Sequence, residues 1–128
     1  ARIGCYSEDL LRNVPERIRR AYFRCTADGF QVCQEIRERV TFRRHDLLTD
    51  PYPSGCDLIL CRNVIIYFEP EPKRKVLEKL AGALAPGGIL FLGGSESISD
   101  PTALGLEPIR PFFYRRAAEA AAARSEAA

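Results

Sequence analysis

The 128-residue sequence contains no methionine, a single histidine and no C-x-x-C pair. With five cysteines at positions 5, 25, 33, 56 and 61 and only His45 beside them, no recognisable Cys/His zinc spacing can be assembled, so no metal is expected. An odd set of cysteines at these spacings reads as reduced, packing thiols, as in a cytoplasmic protein. No apolar run approaches the ~20 residues of a membrane span, and no signal-peptide pattern opens the chain. Membrane insertion is therefore not expected. Charge of one sign is also scarce: 19 Lys and Arg stand against 17 Asp and Glu, a net charge of +2. Basic residues do not interleave with aromatics, so no nucleic-acid partner is expected. The missing methionine is expected of a chain whose initiator was removed, or of a piece of a longer polypeptide.

What is present alternates between helical and strand patterns. SEDLLRNVPERIRRAYFR, residues 7–24, predicts two helical pieces. Ser7 is placed to cap the first, and Pro15 suits the first turn of the second. Ile18, Ala21 and Tyr22 would share its apolar face, while Arg17, Arg19, Arg20 and Arg24 would face solvent. After the turn signal ADG, the segments FQVCQEI and RVTFRRHDLL read as two short strands. TDPYPSG is a loop, and CDLILCRN a continuously apolar strand of the kind found inside a parallel sheet. FEPEPKRKVLEKLAGALAPGG predicts a helix with Val76, Leu77, Leu80 and Leu84 as its stripe, ended by Pro86-Gly87. GGILFLGGSES follows as a buried strand and PIRPFFYRR as the last one. The tail, residues 117–128, is alanine-rich without an apolar stripe and is expected to be disordered.

This is an α/β pattern, and in such sheets ligands bind beyond the carboxyl ends of the strands. Three polar tips are expected there: Asp46, then Cys61-Arg62-Asn63, then Gly93 to Glu96. A charge at a buried strand tip is costly without a partner, so Arg62 asks for an anionic ligand. Plainer readings stand beside these. Tyr67 suits an aromatic packing on the next helix, and Asn63 a side chain bonding loop backbone. Cys61 suits small apolar filler, Asp46 a helix cap, and Gly93 and Gly94 points of close backbone approach. His45 reads as a surface residue.

CDLILCRNVIIYFEPE, LAPGGILFLGGSES and LGLEPIRPFFYRR, with YSEDLLRNVPERIRRAYF and RVTFRRHDLL upstream, resemble the C-terminal half of CheR-type chemotaxis receptor methyltransferases. The likeness covers almost everything but the tail. It implies the C-terminal portion of a Rossmann-like class I methyltransferase sheet over residues 1–116, lacking its first two strands, with a small β-subdomain at about residues 22–40. It implies S-adenosylmethionine as cofactor, leaving as S-adenosylhomocysteine, and glutamate side chains of the chemoreceptor cytoplasmic domain as substrate. On this resemblance Asp46 and Leu47 contact the adenosine half of the cofactor, and Cys61 and Arg62 line its methionyl and transfer end. Arg62 and Tyr67 position the substrate glutamate. The chemistry agrees: a carboxylate of reference pKa ~4.3 is already ionised near neutrality and needs no general base, only alignment and exclusion of water.

The pattern departs from the family in two places. Gly94 stands where the family writes the histidine of G-H-S-E. The family's glycine-rich cofactor loop, and the acid that holds the ribose, would precede Ala1. The loop RCTADG is short, like that of members that do not dock on a receptor's C-terminal pentapeptide. Two missing strands would sit between the strand ending at Asp46 and the one ending at Cys61. Self-association through the exposed sheet edges is therefore expected, and so is inactivity of the chain taken alone. The alternative is a non-catalytic, partner-binding module built on the same domain.

Overall fold

The computed structural model describes residues 3–94 and 96–118. The chain divides into two compact units, Ala1–His45 and Asp46–Ala128.

The first unit is built around a three-stranded antiparallel sheet in the order β1-β3-β2, from Cys5–Tyr6 (β1), Phe23–Thr26 (β2) and Gly29–Val32 (β3). β2 and β3 form a hairpin across Ala27-Asp28, where Thr26 pairs with Gly29 and donates its hydroxyl to the Gly29 carbonyl at 3.0 Å. The ADG turn signal is thus a two-residue hairpin loop. Gly29 is required here: its φ is +133°, and a Cβ would stand 2.5 Å from the Tyr6 carbonyl oxygen.

Several expectations for this unit are corrected. The first helical piece is a 3-10 turn, Glu8–Leu11, and Ser7 precedes it without a side-chain capping bond. The second is an α-helix, Glu16–Tyr22 (α1), that buries none of its residues; Ala21 and Tyr22 are exposed. Arg19 does not face solvent like Arg17, Arg20 and Arg24: it is half-buried, donates to the Leu11 carbonyl at 2.6 Å and lies over the Phe30 ring. FQVCQEI is strand only to Val32. Cys33 then starts a short helix, Gln34–Glu38 (α2), because Gln, Glu and Arg are good helix formers and no branched residue but Ile36 interrupts them. RVTFRRHDLL forms no strand. Residues 40–45 hydrogen-bond into no sheet, and a strand exists only where a neighbour takes up its backbone groups.

The second unit holds a four-stranded mixed sheet in the order β4-β5-β7-β6. Cys56–Leu60 (β4) runs parallel to Leu84–Phe91 (β5), and the helix Pro70–Ala83 (α3) connects them. Pro70 begins that helix at its first position, where the missing N–H costs nothing. Val76, Leu77 and Leu80 are buried as the stripe predicts. The helix ends at Ala83, however, so Leu84 and Pro86-Gly87 belong to β5, whose register against β4 shifts between Cys56 and Leu58. PIRPFFYRR is not one strand but the return of a hairpin: Leu106–Arg110 (β6) and Phe113–Arg116 (β7) pair antiparallel around Phe112, at φ +69°. The core lies between α3 and one sheet face, where Leu90, Leu92, Leu106, Tyr114 and Ile65 join the helix stripe. The opposite face carries the stacked Phe91 and Phe113, with Leu58 and Leu60 exposed on β4. Apart from residues 117 and 118, the tail expected to be disordered lies outside the described residues.

Candidate functional site

The polar residues gather at the carboxyl end of the parallel pair. β4 continues past Leu60 for one more bond, Cys61 N–H to the Phe91 carbonyl at 3.0 Å, and then breaks. Asn63 takes φ +57°, a left-handed conformation that asparagine tolerates better than most residues. A 3-10 turn follows, Ile65–Tyr67, pinned by Ile65, which is fully buried. This abrupt turn holds Arg62 on the rim of the sheet, exposed and without a hydrogen bond or ion pair among the described residues. The Arg62 stem lies along Gly93 at the tip of the neighbouring strand. A Cβ on Gly93 would stand 3.0 Å from Arg62 Nε and 3.3 Å from its Cγ, and the glycine's φ is +84°. The close approach expected of Gly93 is therefore an approach of this arginine. Gly94 has open space around it.

Asp46 and Leu47 open the turn that leads toward β4. The Asp46 carboxylate accepts from the Leu48 N–H at 2.9 Å and the Thr49 N–H at 3.3 Å, and the Asp46 N–H donates to Asp50 Oδ2 at 2.7 Å. It thus organises its own turn, in line with the plainer capping reading. Two further bonds hold the turn in place: Tyr52 donates its hydroxyl to the Leu47 carbonyl, and Lys79 of α3 its ammonium to the Leu48 carbonyl, each at 2.8 Å. Lys79 also lies over the Tyr52 ring. Burial, then the charges of Cys61 and Asp46, push the Tyr52 hydroxyl above its ordinary pKa. Leu47 packs against the core of this unit.

Cys61 is buried, and burial followed by the neighbouring Glu96 carboxylate raises its thiol. The thiol therefore stays protonated at neutral pH, a poor nucleophile and a neutral wall. Glu96 itself is 3% exposed, and neither of its carboxylate oxygens has a hydrogen-bond partner. Sequence reasoning placed Glu96 at a strand tip without assigning it a role, and Tyr52 only in a loop. Nothing in SES or PYP signals that these side chains turn inward.

Cys61 and Arg62 thus stand at the carboxyl end of β4 beside Gly93, while Asp46 and Leu47 sit on a turn held by Tyr52 and Lys79. Tyr67 lies on the 3-10 turn that follows β4, its side chain 81% exposed. A cleft of ≈ 690 Å³ lies apart from the rim, between the first turns of α3 and residues 97–104. Among the described residues no group of three or more His, Cys, Asp or Glu could hold a metal ion, and no helix is long and apolar enough to cross a membrane.

A family model described as "CheR methyltransferase, SAM binding domain" matches residues 1–111. The chain is 46% identical over 112 residues to a chemotaxis protein methyltransferase of Listeria innocua, and 45% identical over 112 residues to one of Listeria monocytogenes. Each alignment covers 88% of this chain and 43% of the relative. Chemotaxis protein methyltransferase 1 of Pseudomonas aeruginosa is 47% identical over 89 residues, 67% of this chain and 32% of its own. The chain spans less than half the length of these curated relatives.

Proposed function

The chain belongs to the CheR methyltransferase family, whose S-adenosylmethionine-binding domain it matches, and from that premise we propose that it takes part in methylating glutamate carboxylates of chemotaxis receptors. The observation that carries this reading is the strand tip itself: Cys61-Arg62 ends β4 at the carboxyl end of the parallel pair, the Arg62 stem lying along Gly93, where the fold binds ligands. The residues present fit part of the cofactor. Leu47 and the neutral Cys61 offer apolar wall, and the unpartnered Glu96 carboxylate is a buried anion with no counter-charge of its own. S-adenosylmethionine, when bound, supplies an electrophilic methyl group on a cationic sulfur.

The chain's own residues then have three tasks. Arg62, with no partner among the described residues, has its guanidinium free to grip one oxygen of an incoming carboxylate and leave the other to attack. Cys61 excludes water and, being protonated, does not compete as a nucleophile. Tyr67, exposed on its turn, is available to order the approaching peptide. No base is required, because the substrate carboxylate is ionised at neutral pH.

The two-residue hairpin at Ala27-Asp28 supports docking on the receptor without a C-terminal pentapeptide site, since it presents no extended loop for one. A second reading, a non-catalytic partner-binding module, is favoured by one feature: β4 is an edge strand with Leu58 57% and Leu60 64% exposed. Such an edge invites another strand. The experiment is transfer of labelled methyl from S-adenosylmethionine to a receptor cytoplasmic domain, by this chain and by the longest natural polypeptide containing it. Arg62→Ala is expected to lower transfer at least about a hundredfold. Normal transfer by that variant overturns the role of Arg62, and no transfer by either wild-type protein leaves the binding module as the reading.

A further inference from the structure

The rim holds an unpaired anion and an unpaired cation that do not meet. Glu96 is 3% exposed with both carboxylate oxygens unsatisfied, and Arg62, whose stem lies along Gly93, is exposed and makes no ion pair among the described residues. A buried carboxylate without partners is among the most costly arrangements a fold can keep, and a well-packed apolar side chain at the same place would be more stable. Glu96 caps no helix, and the buried hydroxyl of Tyr114, which accepts from the Ile98 N–H at 3.0 Å, makes no hydrogen bond to either Glu96 oxygen. The thiol of Cys61 beside it is too weak a donor to satisfy two charged oxygens. What would satisfy Glu96 is a cation brought by the ligand.

We propose that Glu96 is the anionic half of a two-signed binding ledge: it receives the cationic group of the bound cofactor while Arg62, at the other side of Gly93, receives a carboxylate. The inference rests on the methyltransferase reading and extends it by naming the group on the protein that recognises positive charge. Arg62 alone would repel a sulfonium. A carboxylate held dry nearby offsets that repulsion and makes the ledge selective for a ligand carrying both signs of charge. Two groups of the cofactor share this chemistry, the sulfonium and the amino-acid ammonium, and a set of three ligands tells them apart.

The test is Glu96→Gln, which keeps the shape and removes the charge, titrated calorimetrically with S-adenosylmethionine, S-adenosylhomocysteine and 5′-methylthioadenosine. The first carries both cations, the second the ammonium alone, the third neither. Glu96→Gln is expected to weaken the first by about tenfold or more, the scale of a lost charged hydrogen bond, and to leave the third within about twofold. If the second falls with the first, Glu96 holds the ammonium; if only the first falls, it holds the sulfonium. Equal loss of all three, or loss of none, overturns the proposal while the cofactor reading survives. If the wild-type chain binds none of them, the cofactor reading fails for this chain and melting of the unliganded proteins decides Glu96. A carboxylate kept for a ligand gives Glu96→Gln an equal or higher melting temperature, and a lower one shows that Glu96 is structural.

Discussion

The two units of the chain spend their residues differently. Among the described residues of Ala1–His45 the buried positions are Gly4 and Leu11, and α1 and α2 bury none of theirs. That unit is held by ladder hydrogen bonds and by single contacts such as Arg19 on Phe30. In Asp46–Ala128 a continuous cluster of Leu, Ile, Val and Ala joins α3 to one face of the sheet, and five of its members, Ile65, Val76, Leu84, Leu90 and Leu92, are completely buried. The difference teaches where a site can be held still. Arg62 and Glu96 stand at the ends of strands whose neighbours, Ile65, Leu90 and Leu92, are packed on every side. The first unit has no comparable floor.

The sharpest way to break this contrast is to remove the same kind of group from each unit. Leu90→Ala is expected to cost about 2–5 kcal/mol in urea denaturation, because it opens a cavity in the packed cluster. Ile18→Ala, on a half-buried helix face, should cost less than about 1 kcal/mol. Equal costs would show that the first unit has a core of its own.

Glycine substitutions come next and reverse the ranking. Gly29→Ala would press a Cβ to 2.5 Å from a backbone oxygen at φ +133°. Backbone cannot move aside, so the expected cost is about 3 kcal/mol or more, seen as lost amide protection across β3. Gly93→Ala carries φ strain of about 1–2 kcal/mol, but its neighbour is the flexible arm of Arg62. It should therefore displace the arginine and weaken carboxylate binding more than it weakens the fold.

Lys79→Ala is a smaller and more local change. Losing the bond to the Leu48 carbonyl and the contact over the Tyr52 ring should cost about 1 kcal/mol. Amide exchange at Leu48 and Thr49, both bonded to Asp46, should quicken while β5 stays protected. Quickened exchange across β5 would mean that the Asp46 turn belongs to the core.

These cases also show what was legible in the sequence. β4, α3 and β5 were, because each is written in short-range periodicity and Pro70 marks a helix start locally. The strand expected in RVTFRRHDLL, ending at Asp46, was not: its branched and aromatic residues suit a strand, but what makes one is a neighbour, and no local pattern states whether the neighbour is there. QEIRE was misread because the β-favouring residues before it carried the reading past Cys33. PIRPFFYRR was misread because a left-handed Phe112 is not a turn that residue types announce. At the site, Cys61 and Arg62 could be placed at the tip of β4 from its apolar run, while Asp46 and Leu47 were named with the help of the family resemblance. Glu96 could not be given a role, because burial of a polar side chain is a property of the packed structure.

The mildest test of the contrast uses the cysteines. Cys5 and Cys25, in the first unit, are exposed, and Cys61 is buried. Alkylation of the native protein at pH 8 should modify the first two at once and Cys61 only as the second unit opens, which mass spectrometry of timed samples would resolve. The same thiol should set the alkaline limb of stability. Its pKa is raised in the fold by burial and by Glu96. Below about pH 8.5 the thiol is protonated folded and unfolded alike, and its contribution is fully present. As the pH rises further the unfolded thiol ionises first, the unfolded state holds fewer protons, and stability falls until the folded pKa is passed. Tyr52, raised in the same direction, adds its own loss from about pH 10 upward. Cys61→Ala should flatten the first part of that decline, by at most about 1.4 kcal/mol per pH unit, and leave the tyrosine part in place. An unchanged slope would mean that Cys61 ionises as freely in the fold as outside it, and the dry wall behind Arg62 would have to be given up.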